Sequence, residues 1–128
     1  MDWSTLLENP KVLQAHYPRA PDLRGVTLHS LTFRRDGPTA ELVMDPSTFP
    51  EAPSPRWPSG ANMCQIRLQL IELRSVDVSR WGTGVVGDVK LSRSGDGVSL
   101  EFSGDAVFRL LGGWLRVESV TRYIGGAS

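Results

Sequence analysis

Along most of this chain, apolar and polar residues alternate with a period of two, and a helical period is confined to the N-terminal end. Asn9-Pro10 reads as a helix start, with Asn as N-cap and Pro at the first helical position. Val12, Leu13, His16 and Tyr17 then recur at helical spacing until Pro18 and Pro21 stop the run. Trp3, Leu6 and Leu7 predict a further helical turn before Asn9. From Val26 to Arg34 the pattern becomes that of a strand, with a slip near Ser30 that a β-bulge would explain. Asp36-Gly37 is turn chemistry, and Thr39 to Asp45 returns with Ala40, Leu42 and Met44 on one face.

Cys64 to Leu73 is the most regular strand, with Cys64, Ile66, Leu68 and Leu70 alternating against Gln65, Arg67 and Gln69. A short strand follows over Val76 to Trp81. Val85 to Leu91 and Val98 to Phe102 flank Ser94-Gly95-Asp96-Gly97, a hairpin signal. Ala106 to Leu111 and Leu115 to Tyr123 predict a last paired hairpin around Gly112-Gly113. The expectation is a mostly β fold, α+β at the margin: an antiparallel, strongly curled sheet, sandwich or partial barrel of about seven or eight strands. A short N-terminal helical segment covers residues 1–20. The whole chain, 1–128, reads as one domain with a loose tail at 125–128.

Residues 46–62 break the pattern. Five of the nine prolines fall there, a density that no regular strand ladder tolerates. Proline limits the entropy lost when such a segment is ordered, and aromatic and Arg side chains are enriched among interface hot spots. Glu51, Arg56 and Trp57 are therefore the candidate partner-binding residues; alternatively, Phe49 and Trp57 plug the open end of the sheet. Trp81 and Trp114, near strand ends, read as core caps.

Composition narrows the function. Fourteen basic residues balance fourteen acidic ones, whereas nucleic-acid binders usually carry a basic excess. One cysteine, Cys64, rules out an intramolecular disulfide, and its place on the regular strand reads as core. No apolar run approaches the ~20 residues that span a bilayer. The N-terminus lacks a signal-peptide pattern, so a cytoplasmic location is the expectation.

Motifs for catalysis and cofactors fail on context. Gly82-Thr83-Gly84-Val85-Val86-Gly87 matches a dinucleotide-loop pattern, but a strand-like run follows where the pyrophosphate would need a helix N-terminus. His16 and His29 have no Cys or His at metal-ligand spacing. His29 and Ser30 are adjacent on a strand and so point to opposite faces. The acids Asp36, Asp45, Asp96 and Asp105 sit mostly at turns. No catalytic, cofactor-binding or metal residues are assigned, and the chain reads as a non-enzyme. An enzyme would need tertiary assembly of His29, Asp45 or Glu72, and a small-ligand carrier would need a continuous interior cavity.

Together these features resemble the immunity protein 50 family of bacterial polymorphic toxin systems. The resemblance is carried by Trp3, Leu7, Asn9-Pro10, Leu13, Tyr17 and Pro21-Asp22-Leu23, by Val26 to Leu31, and by Pro50 through Trp57-Pro58. Asn62 to Leu68, Trp81 and Val117 to Tyr123 continue it. It implies a mostly β, single-domain protein that binds and neutralises a cognate toxin by stoichiometric protein–protein interaction. It supplies no catalytic residues; the charge balance, the missing apolar run and the failed motifs separately lead to an expectation of no nucleic acid, membrane or cofactor as partner.

Overall fold

The computed structural model describes residues 3–47 and 63–123. Eight antiparallel strands form one curled, unclosed sheet: β1 (Val26–Arg34), β2 (Thr39–Asp45), β3 (Met63–Ile71), β4 (Ser75–Arg80), β5 (Val86–Ser94), β6 (Gly97–Gly104), β7 (Val107–Gly112) and β8 (Trp114–Tyr123). A 3-10 turn (Trp3–Leu6) and the short helix α1 (Pro10–Gln14) precede them. The strand order is β4-β7-β6-β5-β1-β2-β3-β8.

The slip near Ser30 is a bulge: the β1–β2 register shifts between Leu28 and Ser30, leaving His29 as the extra residue. The β5–β6 hairpin closes at Ser94↔Gly97, with Gly95 at φ +59°, a conformation glycine adopts without steric cost.

The last predicted hairpin is not formed. β7 pairs with β6 and β4, and β8 pairs with β3. Gly112-Gly113 is instead one side of a bend in a long two-stranded ribbon. β3 runs into β4 on one side, β7 runs into β8 on the other, and Ile71↔Trp114 is followed across the bend by Ser75↔Leu111. Gly113 N–H donates to the Ile71 carbonyl (2.8 Å) and Arg74 N–H to the Leu111 carbonyl (2.7 Å), so the ladder survives the bend. Glycine is needed there because a Cβ on Gly112 would lie 2.6 Å from Leu70 Cγ. The opposing strand bends at Glu72, whose φ of +55° costs a non-glycine residue about 1–2 kcal/mol.

This bend, with the short β1–β5 pairing at the other junction, divides the sheet into two halves whose inner faces share one core. Ile66, Leu68, Leu70, Leu42 and Met44 come from one half; Leu100, Phe102, Phe108 and Leu110 come from the other. Phe102 and Phe108 stack at 5.2 Å between ring centroids. Burying each such side chain contributes about 1.5–3 kcal/mol before entropy is counted. Cys64 is buried here, as its alternation predicts.

The N-terminal segment covers the β8 edge. Leu7 bridges Leu115 in parallel, and Glu8 N–H donates to the Leu115 carbonyl (2.8 Å). Asn9 makes no side-chain cap; its amide pairs with the Val117 backbone instead, donating from Nδ2 (2.8 Å) and accepting at Oδ1 (2.9 Å). The side chain thus continues the strand ladder, and α1 begins with Pro10 alone as its start signal. α1 ends at Gln14, so His16 and Tyr17 lie beyond it. Trp3 Nε1 donates to the Pro21 carbonyl (2.9 Å), which ties the two ends of this segment together. Among the described residues, no helix is long and apolar enough to cross a membrane.

Candidate functional site

Glu51, Arg56 and Trp57, with Phe49, lie outside the described residues. Their segment leaves the sheet at the end of β2 and returns at the start of β3. That stem carries a cluster of polar side chains. Asp45, an acid the sequence placed among the turns, ends β2 and is 3% exposed. Its Oδ1 lies 3.0 Å from His29 Nε2, and its Oδ2 accepts the Tyr123 hydroxyl. The bulge at His29 is what frees that side chain from strict strand alternation.

Of the three groups an enzyme would have needed, His29 and Asp45 are brought together. Glu72 is not: it accepts the Trp114 indole N–H at the ribbon bend. Deeper in the same end, the Tyr17 and Cys64 side chains interact, with Arg122 nearby. Burial pushes the Cys64 thiol up, away from the thiolate a nucleophile requires. Burial, followed by the bond to Asp45, pushes Tyr123 up to about 12. Burial and then Arg122 hold His16 below its ordinary value. These groups form a buried polar cluster in which the contacts at Asp45 hold β1, β2 and β8 together. Among the described residues, no three His, Cys, Asp or Glu are placed to hold a metal ion.

A second region presents its groups outward. Strand β4 is the other edge of the sheet, and all six of its residues are exposed. Val76 and Val78 stand opposite Leu110 and Phe108 on the core-facing side, yet each is 45% exposed because β4 overhangs the core. Trp81 follows, 59% exposed, its ring 6.2 Å from Phe108. Trp81 and Trp114 are therefore not core caps; both indoles lie largely in solvent. Beyond Trp81, a small cavity of about 90 Å³ is lined by Leu28, His29, Ser30, Gly82, Val85 and Ala106 among others. The loop that resembled a dinucleotide motif forms one wall of this cavity and leads into strand β5.

On its other face β4 begins a ladder of alternating charge. Asp77 stands opposite Arg109, Arg109 opposite Glu101, and Glu101 opposite Lys90, across β4, β7, β6 and β5. Arg109 Nε lies 3.4 Å from Glu101 Oε1. The β4–β7 register shifts between Val78 and Arg80, which brings Arg80 onto the side of Asp77. Arg80 is already engaged: it donates to the carbonyls of Asp105 (3.1 Å) and Gly104 (3.0 Å). A polar groove on the outer face of β2, β3 and β8 is more self-contained, since Glu41 there is bound by Arg67 Nη1 (3.1 Å) and Gln69 Nε2 (3.5 Å).

The sequence carried the strand over Val76 to Trp81 but not its place at the edge. Strand order depends on pairings between distant segments, which periodicity does not encode. The open surface and the polar stem together describe a mostly β scaffold with one exposed edge, β4. Residues 9–123 match the family model described as immunity protein 50, and the chain belongs to that family. No curated protein and no solved structure matches the chain.

Proposed function

We propose that this chain is an immunity protein that binds a cognate polymorphic toxin and neutralises it stoichiometrically, in the bacterial cytoplasm and without catalysis. The observation that carries this reading is the family match across residues 9–123. The architecture is compatible with it. A well-packed sheet holds β4, Trp81 and the ladder of charge in fixed relation, and such preorganisation reduces the entropic cost of binding. The buried Cys64 thiol and the His29–Asp45–Tyr123 contacts serve the scaffold.

Co-expression tests this directly. Cells that express the toxin domain encoded beside this chain are expected to grow when the chain is present and to arrest when it is absent. Arrest in both conditions, with the chain soluble and folded, contradicts the reading.

A further inference from the structure

The two edges of the sheet are treated differently. The β8 edge is occupied by Leu7, Glu8 and Asn9. Among the described residues, no strand pairs with the outer side of β4, and all six of its residues, Ser75 to Arg80, are exposed. An exposed edge strand offers a row of backbone donors and acceptors to another strand, and proteins usually blunt such edges because they template association. Here the edge keeps two half-exposed valines on one face and, on the other, Asp77 beside an Arg80 already bound to the Gly104 and Asp105 carbonyls.

From this arrangement we infer that β4 is the docking edge for an extended strand of the toxin, one that presents a basic side chain to Asp77 and apolar side chains to Val76 and Val78. The inference rests on the immunity reading above and adds the surface and the chemistry of the partner. Strand addition supplies main-chain hydrogen bonds, and the alternate side chains supply specificity. The charge pattern selects the side chain on the outer face. Reading toward the edge, Lys90, Glu101, Arg109 and Asp77 alternate in sign, so a cation on the added strand continues the series. On the inner face, apolar residues would cover Val76 and Val78 and extend the surface toward Trp81.

A second copy of this chain fits less well. Pairing β4 with itself about a two-fold axis would need Arg80 to meet Asp77 of the other copy. Arg80 already serves the carbonyls of Gly104 and Asp105. Of the registers that leave it there, Asp77 against Asp77 sets like charges directly opposite one another, which is destabilising, and Asp77 against Ser79 supplies no cation to the acid.

The test uses the full chain and a catalytically inactive form of the neighbouring toxin domain as probe. Binding is measured for the wild type and for Asp77→Lys, the double variant Val76→Thr/Val78→Thr, and Glu118→Lys on the other half of the sheet. Thermal melting verifies folding of each. Asp77→Lys is expected to weaken binding about tenfold or more, the double threonine variant to weaken it as well, and Glu118→Lys to leave it near wild type. Hydrogen exchange is expected to slow at residues 75–80 in the complex. Three results overturn the inference while leaving immunity intact: a wild type that binds together with β4 variants that bind equally well; equal losses for Asp77→Lys and Glu118→Lys; or an isolated chain that sediments as a dimer through β4. A wild type that neither binds nor protects overturns both readings.

Discussion

At the scale of single residues, Asp45 concentrates most of the polar organisation. A carboxylate this buried is tolerated because His29 and Tyr123 both address it. Asp45→Ala is expected to cost about 1.5–3 kcal/mol in denaturant unfolding, the range for losing a hydrogen bond to a charged group. Tyr123 adds a dependence on pH. Its hydroxyl titrates near 10 in the unfolded chain and near 12 in the fold, so the native state retains a proton that the unfolded state releases. Its stabilising contribution is therefore whole below pH 10 and is lost as pH rises through about 12. Tyr17 is shifted in the same direction by burial. The alkaline limb of stability is expected to be shallower in Tyr123→Phe, with a residual slope from Tyr17, as equilibrium unfolding across that range will measure. His16 acts at the acid end. Its lowered value means the unfolded chain binds the extra proton, so stability falls as pH drops below about 6.5. The sequence offered His29 and Asp45 as groups that tertiary assembly could join, but it gave no sign of Tyr123, which lies on β8 far along the chain.

At the scale of elements, periodicity placed β1 and β2 at their observed limits, and the slip near Ser30 proved to be the bulge that turns His29 toward Asp45. Local chemistry sufficed for those strands because one face is buried and register is then strongly constrained. It failed at Gly112-Gly113, where two glycines have the composition of a turn but serve a close backbone approach at a bend. It failed also at Asn9, whose cap position is right but whose side chain is claimed by β8. Two hydrogen bonds to the strand outweigh one to a five-residue helix. Asn9→Ala is expected to destabilise the chain by about 1–2 kcal/mol and to speed hydrogen exchange of the Val117 amide selectively. Unchanged exchange at Val117 would mean that the N-terminal segment does not guard the β8 edge.

At the scale of the whole molecule, the sheet couples a shielded edge, an open edge and an anchored stem through one core. Phe102 and Phe108 stack within that core beneath β4 and Trp81. Truncating Phe108 to Ala is expected to cost about 3–5 kcal/mol in unfolding free energy and to loosen β4, whose exchange would then rise with it. The mostly β class, the curl and the family were legible in the sequence. The site was less so. Glu51, Arg56 and Trp57 lie outside the described residues, and the open edge arises from strand order. A neutral balance of charge over the chain likewise concealed an ordered ladder on one face.

The proposed function is binding, one molecule to one toxin. Calorimetric titration of the inactive toxin domain, paired with an activity assay of the active one, measures this most directly. Both curves are expected to saturate at one equivalent, with intact toxin recoverable after the complex is dissociated. Loss of toxin activity at a small fraction of an equivalent, with the toxin chemically altered, would contradict it.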